Sequence, residues 1–115
     1  MINDWLVKFK NCWIEKDIDG VMDLFADNVE YWETPFKKLN DKSDLGHEWR
    51  AIKTQDNLDL NFSVYSTDSS RHTVVWQLLY TNSESAIQNW AGVYLIELND
   101  DGICIYFHQV GERLR

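Results

Sequence analysis

The sequence predicts one α+β domain spanning residues 1–115, with helices first and a strongly curved, mainly antiparallel sheet after them. Three observations carry this expectation. Apolar residues recur at helical spacing through the first half, and the period switches to two after Asp56. The 115 residues are enough for one hydrophobic core and too few for two.

Asn3 or Asp4 is placed to cap a first helix whose inner stripe is Trp5, Phe9 and Trp13, widened by Leu6. Asp17 or Asp19 caps a short second helix that turns Val21, Leu24 and Phe25 inward. Asp27-Asn28 breaks it, Val29 to Trp32 reads as a short strand, and Pro35 imposes an extended or turn conformation on the residue before it. Lys37 to Lys42 is a polar connection. Ser43 then caps a third helix, with Leu45, Trp49 and Ile52 on one face. Gly46 weakens that helix by roughly 1 kcal/mol relative to Ala.

Beyond Asp56, Leu58, Leu60, Phe62 and Val64 alternate with polar residues as a half-buried strand. Thr67-Asp68-Ser69-Ser70 is turn chemistry. The next strand sets His72, Val74, Trp76, Leu78 and Tyr80 on one face, with His72 at its edge. After a turn over Thr81 to Ser85, a fourth strand carries Trp90, Gly92, Tyr94, Ile96 and Leu98. Asn99-Asp100-Asp101-Gly102 is a hairpin turn leading into a last strand from Ile103 to Val110. Gly92 inside a strand signals a bulge or bend that curls the sheet. Two of these strands are apolar on both faces, so something must cover the second face. A partner subunit is the economical cover, and a homodimer through the sheet is expected.

Composition excludes several function classes. A net charge of −8, with Lys37-Lys38 the only adjacent basic pair, argues against nucleic acid and anionic membrane surfaces as partners. Cys12 and Cys104 stand alone, without a CxxC motif, as reduced thiols. The N-terminal stretch MINDWLVKFKNCW is charged within four residues and has no apolar h-region, and no apolar run is long enough to span a membrane. A cytoplasmic protein is expected. The three histidines show no metal-binding spacing, and no glycine-rich phosphate loop or GxSxG elbow is present, so neither a metal nor a cofactor is expected. Six tryptophans against five glycines and one proline are the unusual entry in the composition. Rings in that number either fill a core or line a cavity.

Three segments carry a family resemblance: Asp17-Ile18-Asp19-Gly20-Val21-Met22 running into Leu24-Phe25-Ala26-Asp27-Asn28-Val29; Tyr31-Trp32-Glu33-Thr34-Pro35-Phe36; and Trp90-Ala91-Gly92-Val93-Tyr94 followed by Asn99-Asp100-Asp101-Gly102. In order and spacing the chain resembles the NTF2-like/SnoaL-like superfamily. That resemblance implies a cone, with three N-terminal helices packed in the concave side of the curved sheet. The superfamily includes ketosteroid isomerases, polyketide cyclases, dehydratases, epoxide hydrolases and transport adaptors, so the fold alone does not name an activity.

The resemblance also points to catalytic candidates, because enzymes of this fold place a carboxylate or histidine in an apolar cone. These are Glu33 at the end of the first strand and His108 or Glu112 on the last, with Tyr31, Tyr94 and Tyr106 as hydroxyl donors. Trp32, Trp49, Trp76, Trp90 and Tyr94 would form the walls of a pocket for a small apolar or aromatic ligand. Two readings fit these residues. One is a pocket protein with acid–base chemistry of the isomerase or cyclase type. The other is a non-catalytic dimeric interaction domain in which the same rings only fill the cone.

Overall fold

A computed structural model describes all of residues 1–115. The Trp5, Phe9, Trp13 stripe lies on α1 (Ile2–Ile14), which buries those three rings together with Ile2 and Leu6. The helix begins before the expected cap. Ile2 extends the buried stripe one turn back, and Asp4 sits inside the first turn, where the helix dipole favours a carboxylate.

Asp17 caps α2 (Ile18–Met22), its carboxylate accepting from the Gly20 N–H at 2.9 Å. This helix stops short of Leu24 and Phe25, which were expected on its inner face. The Leu24 carbonyl instead accepts from the Trp5 indole at 3.1 Å and from the Cys104 backbone N–H at 2.9 Å. Phe25 opens a strand, β1 (Phe25–Thr34), which starts four residues earlier than periodicity indicated.

After Pro35-Phe36 the chain folds back as β2 (Lys37–Leu39), a short edge strand where a plain connection was expected. Asp41 rather than Ser43 caps α3 (Lys42–Trp49), accepting from the Asp44 N–H at 2.9 Å. The last turn tightens into a 3-10 segment over Arg50–Thr54, which keeps Ile52 buried beside Leu45 and Trp49.

The rest is a four-strand meander: β3 (Asp56–Asp68), β4 (Arg71–Thr81), β5 (Ile87–Leu98) and β6 (Cys104–Arg113). The six strands lie in the order β2-β1-β6-β5-β4-β3. All neighbours are antiparallel except β1 and β6. The expected α+β class and helix-lined curved sheet are therefore what the chain adopts. No helix is long and apolar enough to cross a membrane.

Phe9 is the hub of the core, stacked on Trp5 at 4.8 Å and on Phe62 at 5.7 Å between ring centroids, with Phe25, Trp49, Tyr94 and Phe107 around it. His72, expected at an edge, is buried, and its Nδ1 lies 2.9 Å from the Thr67 hydroxyl.

Two glycines meet inside the sheet, and the register runs unbroken through Gly92, so the bulge expected there is absent. Gly92 and Gly111 are paired across β5 and β6, and Trp76 is paired with Gly92 from the other side. A Cβ at Gly92 would collide with the Val110 carbonyl, and one at Gly111 would lie 2.5 Å from the Trp76 ring. The missing side chains make the slot that Trp76 occupies.

Candidate functional site

Alternation along the strands determines what the concave face presents. On β1 it turns Val29, Tyr31 and Glu33 inward. Across the meander the register aligns Val74 with Tyr94 and Gln109, Trp76 with Gly92 and Gly111, and Leu78 with Trp90. Trp13 at the end of α1 and the residues around the end of α3, from Glu48 to Gln55, face this surface. Between the two lies a cavity of about 190 Å³. Half of its wall residues are aromatic: Trp13, Trp49, Trp76, Trp90, Tyr31, Tyr80 and Tyr94. Its polar groups are Glu33, Glu48, Gln55 and Gln109.

Gln55 and Glu48 are held in place. The Trp13 indole donates to Gln55 Oε1 at 2.8 Å, and the Trp49 indole donates to the Tyr31 hydroxyl oxygen at 3.1 Å. The Tyr31 hydroxyl favours the ionised form of the Glu33 carboxyl. Glu48 accepts from Lys37 Nζ at 2.7 Å, an ion pair on the exposed rim. The Tyr94 ring stacks on Trp76 at 5.3 Å, and its hydroxyl has no protein partner. The Trp76 indole N–H is buried without a partner.

Glu33 is the chemically distinctive group. Burial pushes its carboxyl up from the usual range to about 7, and the charge of Glu48 adds to the rise. Lys37 and the Tyr31 hydroxyl act in the opposite sense. Burial also raises Tyr31 well above the usual phenol range and raises Tyr94, so both remain neutral hydroxyls near pH 7. The site thus holds a carboxyl that can exchange a proton near neutrality, beside two phenols that can only donate or accept hydrogen bonds. No group of three His, Cys, Asp or Glu side chains converges to hold a metal ion.

No family model matches the sequence, and no curated protein matches it. Solved structures do match in shape. An NTF2-like protein of unknown function from Exiguobacterium sp. 255-15 superposes with a TM-score of 0.78 over 94% of this chain and 98% of its own, at 16% identity. A Delta 5-3-ketosteroid isomerase from Mycobacterium sp. gives a TM-score of 0.78 over 96% of both chains, at 14% identity. A Mycobacterium tuberculosis protein in complex with estradiol-17beta-hemisuccinate gives 0.76 over 91% of this chain and 88% of its own, at 15% identity.

The chain has the NTF2-like fold.

Within the NTF2-like cone, the structure brings Tyr31, Glu33, Trp49, Trp76, Trp90 and Tyr94 to one cavity. It does not bring Trp32, Tyr106 or His108 there. Trp32 neighbours Tyr31 on β1, so alternation sends it to the convex face, where it stacks on His108 at 5.8 Å and its indole donates to Glu30 at 2.9 Å. Tyr106 and His108 follow it because β6 is irregular. Leu98 pairs with Cys104 and Glu97 with Tyr106, which leaves Ile105 as an extra residue. The bulge turns both Cys104 and Phe107 inward and carries Tyr106 and His108 outward, where the Tyr106 hydroxyl lies 3.1 Å from His108 Nδ1. Gln109 takes the inward position expected for His108. Glu112 is exposed near the end of β6.

Glu48, Gln55 and Gln109 were not singled out from the sequence. A polar residue beside a core tryptophan on a helix reads as solvated, and only the seating of α3 over the cavity makes Glu48 a wall residue. Gln109 had a detectable signal. Cys104 and Phe107 are three apart and both strongly apolar, a spacing that a regular strand cannot put on one face.

Proposed function

We propose that this NTF2-like domain binds a small molecule in the concave cavity and moves a proton on it. Glu33 acts as the acid–base group, and the Tyr94 hydroxyl stabilises negative charge as it develops. The observation that carries this reading is a half-buried carboxyl titrating at about 7 on the wall of an aromatic cavity. A base is most effective when it titrates near the working pH. The partnerless hydroxyl of Tyr94, on the same wall, supplies the donor that an enolate oxygen requires. Tyr31, itself oriented by Trp49, favours the ionised form of the Glu33 carboxyl.

The reaction class that fits is proton abstraction beside a carbonyl on a mainly apolar substrate, as in isomerisation or cyclisation. At about 190 Å³ the cavity suits a ligand smaller than a fused polycycle, since pockets for drug-sized ligands run from about 300 to 1,000 Å³. The non-catalytic alternative requires the rings to fill the cone, and the cavity counts against it.

The test is deuterium exchange into a panel of small ketones and enones, followed by NMR. Exchange catalysed by the protein rises with pH through about 7, as Glu33 ionises, and then levels. The Glu33→Gln variant loses roughly 10²–10⁴-fold of that rate. A wild-type rate equal to that of Glu33→Gln at every pH would remove the catalytic reading.

A homodimer through the convex face is part of the same proposal. Val75, Leu79, Leu95 and Val110 are all more than a third exposed there, and Val75, Val93 and Val110 form one row across β4, β5 and β6. Light scattering is expected to give twice the mass of the 115-residue chain. The Leu95→Asp variant should give a folded monomer, and an unchanged wild-type monomer would remove the dimer. Unpaired Cys12 and Cys104 fit a cytoplasmic, reducing setting.

A further inference from the structure

The charge on the cavity wall is of one sign. Both charged residues on its wall, Glu33 and Glu48, are acidic, and no Lys, Arg or His lines it. Glu48 has a cation in Lys37, but Lys37 lies outside the wall on the exposed rim. Glu33 has none, since it takes part in none of the ion pairs of the chain.

The aromatic residues of the wall matter for the same reason. The indole N–H groups of Trp13 and Trp49 are taken up by Gln55 and Tyr31, so these rings offer the cavity carbon surface rather than donors. Indole and phenol rings attract cations through their quadrupoles, tryptophan most strongly, and rings with a carboxylate make the usual cage for methylated ammonium groups. A neutral apolar ligand brings Glu33 no opposite charge; an ammonium group would match both the rings and the carboxylate.

We propose that the ligand of this cavity is a small organic cation, a quaternary or tertiary ammonium compound, held by the tryptophan walls with Glu33 as its counter-ion. The inference rests on the pocket reading above and adds a positive charge to its mainly apolar ligand.

The groups facing Glu33 are Tyr31 on its own strand, Tyr94 on β5, Glu48 on α3 and Lys37 on β2. The two phenols are raised and stay neutral, and Lys37 is raised and stays charged. Between pH 6 and 8 the group among these that burial brings into range is Glu33. Cation binding therefore releases a proton, and affinity rises as Glu33 ionises.

The experiment is a tryptophan-fluorescence titration of the full chain with choline and with 3,3-dimethyl-1-butanol, its neutral isostere carrying carbon in place of nitrogen. Choline is expected to saturate the signal at least about tenfold more tightly than the alcohol. Its affinity should improve by up to about tenfold from pH 6 to pH 8, and Glu33→Gln should flatten that dependence. If the alcohol binds as well as choline, the cationic assignment is overturned and the pocket remains. If neither binds, and a panel of small ketones is silent as well, the pocket reading falls with it.

Discussion

At the end of the concave face covered by α1, Trp5, Phe9, Phe25 and Phe107 interlock with ring centroids 4.8 to 6.4 Å apart. At the other end, Trp49, Trp76, Tyr80 and Trp90 stand around a cavity. Similar residues produce opposite outcomes because of what roofs them. A three-turn helix lays a continuous apolar stripe over the first group. The second is roofed by the last ring of that stripe, Trp13, and by a short helix that tightens into a 3-10 turn. Polarity follows the same division. The packed end spends its one indole N–H on a backbone carbonyl, whereas the open end gathers two carboxyls, two amides and three phenols. Aromatic content alone therefore says little about whether a cone is filled. The length and apolar spacing of the covering helix say more.

The comparison breaks most sharply if truncation costs the same at both ends. Phe9→Ala should lose about 3–5 kcal/mol of stability in urea denaturation, as expected for a fully buried ring. Trp90→Ala, half-buried on the cavity wall, should lose only about 1 kcal/mol. Equal losses would mean that the open end is packed as tightly as the closed one.

Next in size is the slot between them. Gly111→Ala should cost about 1–3 kcal/mol by forcing the Trp76 ring to move. Combining it with Trp76→Leu should recover part of that cost in a double-mutant cycle, because the clash is with the indole. Strict additivity would assign the cost to the backbone instead.

The smallest effect sharpens the contrast in polarity. Glu33 titrates higher in the folded chain than in the unfolded one, so its protonated form favours folding. Its stabilising contribution is complete below about pH 4.5, declines as pH rises to about 7, and is absent above that. The Glu33→Gln variant stays neutral throughout. Its melting temperature, relative to wild type, should rise across that window and then level. A constant difference would mean that Glu33 is solvated like any surface carboxylate.

Much of the fold was legible because one face of each strand is covered and the other is not. The period-two runs over Leu58–Val64 and His72–Tyr80 carry their own register, and Glu33 shares a face with Val29 and Tyr31 by the same alternation. The expected pairing of Tyr31 with Trp32 in one pocket runs against that rule, since neighbours on a strand point to opposite faces. Tyr106 and His108 were misplaced for a different reason. The extra residue in β6 reverses the alternation partway along the strand, and a bulge depends on its partner strand. Glu48 and Gln55 join the site through the seating of α3, which depends on contacts between segments far apart in the chain. Helix ends moved for local reasons, as competing carbonyl partners and alternative caps shifted the boundaries of α2 and α3 by a few residues.

The parallel seam between β1 and β6 bears on the order in which the molecule is built. Each hairpin of the meander joins segments that follow one another, so β3 to β6 can zip together early. The seam instead pairs Phe25 with Cys104 and Trp32 with His108, closing a loop of most of the chain. Contacts of that span form slowly, because the entropy of closure is lost before any pairing compensates. Glu33 and Tyr31 lie on the far side of that seam from the tryptophans of β4 and β5. The carboxyl therefore meets its aromatic wall only when β6 has been made and the seam has shut. A chain stalled before that step would display its tryptophans without the carboxyl that faces them.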